Sequence, residues 1–221
     1  MELVFATRNH HKIRELNEIL AGSSLRASAL PPEAPEVEET GSTFRANAAL
    51  KALSAYAATG KPALADDSGL CVDALDGAPG VWSARYAGPG LGDAANNTRL
   101  LADLQGVRER GAHYVCVLAL VCPEEWVREN LPIRGVERVF DEPGLPAGLA
   151  LIVAEGRVDG EIVDTPSGSG GFGYDPHFWV PEFSQTMAEL PSHEKHRISH
   201  RGTAMRALSG WLTSLRLPQL S

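Results

Sequence analysis

The sequence predicts a mixed α/β fold, in which a twisted sheet with flanking helices forms two lobes around a central cleft. Short apolar runs at residues 3–6 and 113–122 are typical of buried strands. After the first run, apolar residues such as Leu16 and Leu20 recur at helical spacing. No flexible linker interrupts the chain, so we expect residues 1–221 to form one domain.

Glycines, prolines and capping residues mark where the elements begin and end. Prolines exclude a helix at 31–41 and indicate an acidic extended loop. Ser42 and Ser199 carry hydroxyl groups that can cap helices, and Gly60 can end one. The predicted order in the first half is a strand at 3–6, a helix through Leu20, the acidic loop, a helix from Ser42 to Thr59, strands at 63–65 and 70–72, a loop at 77–92 and a helix opened by Asp93. The second half is predicted to contain strands at 113–122, 136–140, 149–154, 157–163 and 178–180, followed by a helix capped by Ser199. Residues 123–147, which include one of these strands, are predicted to form an exposed excursion.

Composition narrows the class of protein. The 20 basic and 28 acidic residues give a net charge of −8, which argues against a nucleic-acid partner. Apolar runs such as 115–121 are far shorter than the ~20 residues of a membrane span, so no membrane partner is expected. The three cysteines lack CxxC spacing and are expected to be buried thiols in a reducing compartment. Without a signal-peptide pattern at the start, we expect a cytoplasmic protein.

Two acidic pairs are candidates for metal binding. Asp66 and Asp67 are predicted at a strand end or tight turn, where adjacent carboxylates are tolerated if a cation neutralises them. Glu38 and Glu39 form a second pair on the acidic loop. Hard oxygen ligands suit Mg²⁺ bridging to a phosphate, although two solvated turn residues are the alternative interpretation of the aspartates.

Cations and amide donors for a phosphate occur at two places. Thr7, Asn9 and Lys12 stand at the start of a predicted helix, whose positive dipole end favours anions. Lys51 adds an ammonium on the helix after the acidic loop. Each segment can also be explained as a capped helix with exposed polar residues.

A glycine-rich run at 168–173 formally matches the dinucleotide fingerprint GxGxxG, but its context does not. The fingerprint requires a helix at the third glycine, whereas Pro176 and an apolar run at 178–180 predict a loop and a strand. The run is better interpreted as backbone close to a flat ligand, with Phe172 or Tyr174 as a stacking surface and Asp175 as an acceptor.

Three histidines with interleaved cations form the most polar segment of the chain. The spacing of His193, His196 and His200 would suit zinc on one helical face. However, Ser199 indicates a new helix start that breaks this face, and the neighbouring cations would repel a metal. A basic platform for an anion or a base edge is the favoured interpretation, with a solvated surface as the alternative.

Seven motifs together resemble the inosine triphosphate pyrophosphatase family. They are TxNxxK at 7–12, ETGxTFxxNAxxKA at 39–52, ADDSGL at 65–70, GAPG at 77–80, SARY at 83–86, GFGYDP at 171–176 and SHR at 199–201. Each motif alone is weak, but all occur in the family's order over nearly the whole chain. The resemblance implies a homodimer that uses Mg²⁺ to hydrolyse inosine, deoxyinosine and xanthosine triphosphates to the monophosphate and pyrophosphate.

The resemblance also implies roles for individual residues. Asp67 would accept the proton of the attacking water and, with Glu39, hold the metal. The residues carried over as contacts to the triphosphate are Thr7, Arg8, Asn9, His10, His11, Lys12 and Lys51. Those carried over as contacts to the rest of the substrate are Ser68, Arg85, Phe172, Gly173, Tyr174, Asp175, Lys195, His200 and Arg201.

Discrimination against ATP would have to occur at position 6 of the purine. Inosine and xanthosine carry a carbonyl acceptor there, whereas adenine carries an amino donor. A donor from Arg201 or nearby backbone would pair only with the carbonyl, at a penalty of about 1 to 3 kcal/mol for the mismatched group.

Two features depart from the family pattern. Arg8 stands where the family commonly has glycine, which adds a cation to the phosphate loop, and the excursion at 123–147 is longer than expected. Two other functions use the same residues: hydrolysis of another modified nucleotide, or nucleotide sensing without turnover. A sensor would have no need for acids placed around a water molecule.

Overall fold

The computed structural model describes residues 2–7, 10–21, 25–128 and 135–214, and it has the predicted mixed α/β architecture. The strands are β1 Glu2–Phe5, β2 Arg26–Ala29, β3 Ala63–Val72, β4 Gly111–Pro123, β5 Glu137–Val139, β6 Leu149–Ile162, β7 Phe178–Val180 and β8 Gln185–Thr186. The helices are α1 His10–Ile19, α2 Phe44–Thr59, α3 Gly92–Asp103, α4 Glu124–Arg128, α5 Ser192–Ile198 and α6 His200–Ser214. Within these ranges no helix is long and apolar enough to cross a membrane.

The eight strands form one open sheet. Its order is β2-β1-β3-β4-β6-β7-β8, and β5 pairs with β6. Strand β1 is parallel to both β2 and β3, with Phe5 opposite Ala29 and Leu64. The pairs β5–β6, β6–β7 and β7–β8 are antiparallel. The mixed sheet predicted from the short apolar runs is therefore confirmed.

The chain divides into two compact units. Unit 1 comprises Met1–Asp67, Val117–Glu155 and Ala204–Ser221, and unit 2 comprises Ser68–Cys116 and Gly156–Thr203. Buried aliphatic and aromatic side chains fill unit 1, among them Leu3, Phe5, Leu64, Leu118, Leu120, Leu208 and Trp211. The core of unit 2 includes Leu70, Leu100, Tyr114, Ile162, Tyr174, Phe178 and Met187.

Helix α2 combines small side chains with a polar one on its buried face. Its buried face consists of Asn47 and alanines, and the helix packs against β1. Thr43 caps it by accepting a hydrogen bond of 3.1 Å from the amide of Ala46, so the predicted cap at Ser42 was one residue early. Gly60 ends the helix in the left-handed conformation, as predicted.

Two predicted strand breaks are wrong. Asp66, Asp67, Ser68 and Gly69 lie inside the continuous strand β3 instead of in a turn, and residues 149–162 form one strand, not two. Strand pairing outweighs the low strand propensity of Asp and Gly at these positions. In addition, β2 was missed, and the predicted loop at 77–92 contains a 3-10 helix at Gly80–Arg85.

Several other local predictions are confirmed. The acidic segment 31–41 has neither helix nor strand, and the glycine-rich run leads into a 3-10 helix and β7, not a long helix. Ser199 accepts a hydrogen bond of 3.1 Å from the amide of Gly202 at the start of α6. Cys116 and Cys122 are buried as predicted, whereas Cys71 is half-buried.

Candidate active site

A lysine joins two carboxylates in unit 1. The Nζ of Lys51 lies 2.9 Å from Oε1 of Glu39 and 3.0 Å from Oδ1 of Asp67. Asn47, one helical turn before Lys51 on α2, donates from Nδ2 to Oδ2 of Asp67 over 3.2 Å. We call Glu39, Asn47, Lys51 and Asp67 the acidic cluster. The structure thus brings together three of the residues predicted to act on the phosphates and the metal.

Burial and pairing shift the pKa values of this cluster. The side chains of Lys51 and Asp67 are only 18% and 11% exposed. Burial raises the pKa of Asp67 above its ordinary value, although Lys51 opposes the rise. Burial opposes the charge on Lys51, but the combined effect of Asp67 and Glu39 raises its pKa. A carboxylate with a raised pKa beside a firmly charged ammonium is suited to accept a proton.

A pocket of about 240 Å³ lies beside Lys51 in unit 1. Its walls come from the end of β1, the acidic loop and α2, through Ala6, Leu30, Ala34, Pro35, Glu36, Val37, Lys51, Ser54 and Ala55. Ala6 and Lys51 both line this pocket, and Thr7, the first residue of the predicted phosphate loop, directly follows Ala6 in the sequence.

The predicted phosphate loop follows β1. The backbone carbonyl of Thr7 accepts a hydrogen bond of 3.4 Å from the amide of Leu30, and α1 begins at His10 as the motif predicts. Arg8 and Asn9, together with the side chains of His10, His11 and Lys12, lie outside the described residues. The helix start that would favour an anion is therefore present in unit 1.

A second set of polar contacts, in unit 2, surrounds Asp175. One carboxylate oxygen of this buried residue accepts hydrogen bonds of 2.6 Å from Nζ of Lys195 and 2.9 Å from the amide of Phe172. The ammonium of Lys195 also lies 5.2 Å from the centre of the Phe172 ring. Gly171 has a φ of +79°, and a Cβ there would come within 2.0 Å of Asp175 Oδ2. The turn therefore requires glycine at this position.

The two aromatic residues of the predicted base site differ in exposure. Phe172 is 65% exposed, whereas Tyr174 is 4% exposed and donates from its hydroxyl group to the carbonyl of Ser83 over 2.8 Å. Burial raises the pKa of Tyr174. Of the two rings, that of Phe172 is accessible for stacking.

Helix α3 holds the backbone of this turn. Asp93 accepts a hydrogen bond of 2.7 Å from the amide of Gly173, and Asn97 donates one of 2.9 Å to its carbonyl. Neither contact is predicted from the sequence, in which Asp93 is a candidate helix cap; the structure places it in the first turn of α3. Their spacing of four residues on one helical face was the available signal.

Other predicted residues of unit 2 are placed by side-chain contacts. Arg201 donates from Nη2 to Oγ of Ser68 over 3.2 Å. The ring of His200 stacks on Tyr114 at 4.9 Å, and Arg85 lies 4.6 Å from the centre of the Trp82 ring. His193 is exposed beside Glu194. Among the described residues, no group of three or more His, Cys, Asp and Glu side chains could hold a metal ion.

Comparison with known proteins places this chain in one family. The model of the Ham1 family matches residues 3–136 and 139–211. A dITP/XTP pyrophosphatase from Geobacter sulfurreducens is 46% identical over 216 residues, covering 95% of this chain and 96% of that protein. Another from Pseudomonas syringae pv. tomato is 48% identical over 206 residues, covering 92% and 93%.

Solved structures agree with the sequence comparison. A HAM1 protein from Coxiella burnetii has a TM-score of 0.82 and 40% identity, covering 96% of this chain and 98% of that chain. A nucleoside-triphosphatase, dITP/XTP pyrophosphatase from Mycobacterium abscessus, has a TM-score of 0.73 and 40% identity, covering 94% and 98%. The chain belongs to the Ham1 family, and the resemblance predicted from its motifs is confirmed.

Proposed function

We propose that this protein is a metal-dependent pyrophosphatase that hydrolyses ITP, dITP and XTP to the monophosphate and pyrophosphate, thereby removing deaminated purine nucleotides before they enter DNA or RNA. The observation that carries this proposal is the acidic cluster, in which the Lys51 ammonium joins Glu39 and Asp67. Relatives that are nearly half identical over almost the whole chain are named dITP/XTP pyrophosphatase, which supports the reaction class.

The donor set of the acidic cluster fits a divalent metal. Pyrophosphatases of this family generally use such a metal, and Glu39 and Asp67 would hold it here. Two carboxylates suit Mg²⁺ in particular, because Mg²⁺ commonly combines one or two protein carboxylates with phosphate oxygens and water. When bound, the ion would neutralise negative charge on the phosphates.

The residues of the chain perform the other parts of the reaction. Asp67 orients a water molecule and accepts its proton as the water oxygen attacks the α-phosphorus. The bond from the α-phosphorus to the bridging oxygen breaks, and pyrophosphate leaves. Lys51 and the loop from Thr7 to Lys12 supply positive charge and N–H donors for the phosphate oxygens.

Binding of the base is assigned to unit 2. The exposed Phe172 ring offers a stacking surface, and Asp175 and Lys195 hold the turn that carries it. Ser68, Arg85, His200 and Arg201 supply polar groups for the sugar and the purine edge. Arg201 is the proposed donor to the carbonyl at position 6.

The first experiment compares pyrophosphate release from ITP, dITP, XTP and ATP at equal concentration, with Mg²⁺ and with EDTA. We expect metal-dependent turnover that favours the three deaminated nucleotides over ATP. Each 1.4 kcal/mol of discrimination corresponds to about a tenfold preference. Equal turnover of ATP would contradict the proposed substrates, and a screen of other modified nucleotides would then identify the substrate.

Asp67→Asn tests the proton acceptor directly. The amide keeps the shape of the side chain but cannot accept the proton, so we expect kcat to fall by about 10²- to 10⁴-fold while ITP binding persists. Asp159→Asn, an exposed carboxylate paired with Arg157, is the control and should retain full turnover. Full turnover in Asp67→Asn would refute the assignment.

We also propose that the protein is a cytoplasmic homodimer. Nucleotide-pool enzymes act where nucleoside triphosphates are made, and the motifs on which the proposal rests belong to a dimeric family. Sedimentation equilibrium of the purified chain tests the assembly, since a mass near 23.6 kDa would show a monomer. Fractionation of cells with an antibody tests the compartment.

A further inference from the structure

We propose that Asn47 is a positioning residue for the reaction, because it fixes both the proposed proton acceptor and the loop that carries Glu39. Its side chain is fully buried, so each polar atom requires a partner. Nδ2 donates to Oδ2 of Asp67 over 3.2 Å, and Oδ1 accepts from the amide of Gly41 over 2.8 Å. One carboxamide thus joins β3 to the acidic loop.

The contact with Gly41 is close enough to exclude any other residue there. A Cβ on Gly41 would lie 2.6 Å from Asn47 Oδ1 and 2.8 Å from Ala46 Cβ. The loop therefore approaches α2 as closely as backbone allows, and the Gly41–Asn47 hydrogen bond depends on that approach. Glu39 lies two residues before Gly41, so the same bond limits where its carboxylate can lie.

The bond to Asp67 orients the carboxylate. Asn47 donates to Oδ2 and Lys51 donates to Oδ1, so neither oxygen can rotate without losing a donor. Asn47 itself has no predicted contact with substrate. It acts through Asp67 and Glu39, and this inference rests on the proposed role of Asp67.

Two variants interrupt the bridge at its two ends. Asn47→Asp keeps the size and the acceptor toward Gly41, but it replaces the donor to Asp67 with an oxygen. Gly41→Ala keeps the carboxamide but pushes it out of place. For both we expect kcat for ITP to fall about 10- to 100-fold, as for residues that orient metal-site ligands, with KM within about threefold of wild type.

Asn17→Ala is the matched control for stability. Asn17 also joins two elements of unit 1, donating to the carbonyl of Ala27 over 2.8 Å and accepting from its amide over 2.9 Å. Its loss should lower the free energy of unfolding without lowering kcat. Denaturant unfolding of all variants separates stability from turnover. Calorimetry with α,β-imido ITP in EDTA should show that Asn47→Asp still binds the nucleotide.

The outcomes are distinct. Wild-type kcat in Asn47→Asp, with Asp67→Asn inactive, would overturn this inference and leave the proposed function standing. A kcat loss in Asn17→Ala equal to that in Asn47→Asp would also overturn it, because the effect would then follow stability alone. Full turnover in Asp67→Asn would overturn the role of Asp67 and this inference together.

Discussion

Arg201 illustrates how a single side chain could decide substrate choice. Arg201 is the second residue of α6. Its guanidinium group donates to the hydroxyl group of Ser68, the residue that follows Asp67 in β3. A guanidinium group can only donate, so it suits a carbonyl and not the amino group of adenine.

We therefore predict that Arg201→Ala reduces the preference for ITP over ATP by about 5- to 150-fold, equivalent to about 1 to 3 kcal/mol. The measurement is the ratio of kcat/KM values for the two nucleotides. Arg197→Ala, which removes an exposed cation paired with Glu194 on α5, is the control and should leave that ratio unchanged. An unchanged ratio in Arg201→Ala would assign the selectivity to other donors.

At the scale of elements, α2 carries two residues of the acidic cluster, and its start is secured by Thr43. We predict that Thr43→Ala lowers the free energy of unfolding by about 1 kcal/mol, because it leaves the Ala46 amide without its cap. The neighbouring substitution Ser42→Ala should change it by less than about 0.5 kcal/mol. Urea unfolding measures both, and an equal loss in Ser42→Ala would place the cap at the predicted position instead.

The elements also show what could be predicted from the sequence. Helix α2 is predicted from a capping residue near its start and from Gly60 at its end, and the sheet from its short apolar runs. Strand β3 was interrupted in the prediction because adjacent aspartates and a glycine are rare in strands. The ammonium of Lys51, 16 residues earlier on α2, offsets the charge of Asp67 in the strand, and the strand's own sequence does not reveal that pairing.

The candidate site was predictable to a similar extent. Glu39, Lys51 and Asp67 were identified from their residue types and motifs, and the structure brings them together. The motif at 39–52 contains Asn47 without predicting its role, although a polar residue among alanines, four positions before Lys51, is a usable signal. The four-residue spacing of Asp93 and Asn97 indicates a shared helical face, but it does not identify Gly173, 76 residues after Asn97, as their partner.

For the whole molecule, two buried phenols and one half-buried phenol link stability to alkaline pH. Burial, and to a smaller extent the hydrogen bond to Asp103, raises the pKa of Tyr86 to about 12. Burial also raises the pKa of Tyr114 and of Tyr174. A phenol whose folded pKa exceeds its unfolded value of about 10 stabilises the fold fully below that pH. This contribution is lost as the pH rises from about 10 through the folded pKa.

We predict that absorbance at 295 nm will show these three tyrosines ionising above pH 10, later than free tyrosine, and that unfolding in urea will return them to about pH 10. Asp103→Asn should lower the pKa of Tyr86 alone, since it removes the negative charge at 2.7 Å from the hydroxyl group. Ionisation of all tyrosines near pH 10 in the folded protein would contradict the burial of these phenols.

The low exposure of the three cysteines has a practical consequence for spectroscopic labelling. Cys116 and Cys122 are buried, and burial raises the pKa of Cys71 and of Cys122, so little reactive thiolate is present at neutral pH. Maleimide dyes and nitroxide labels should therefore modify the native cysteines slowly. Two cysteines introduced on the surface could carry a pair of labels for distance measurements, without first replacing the natural ones.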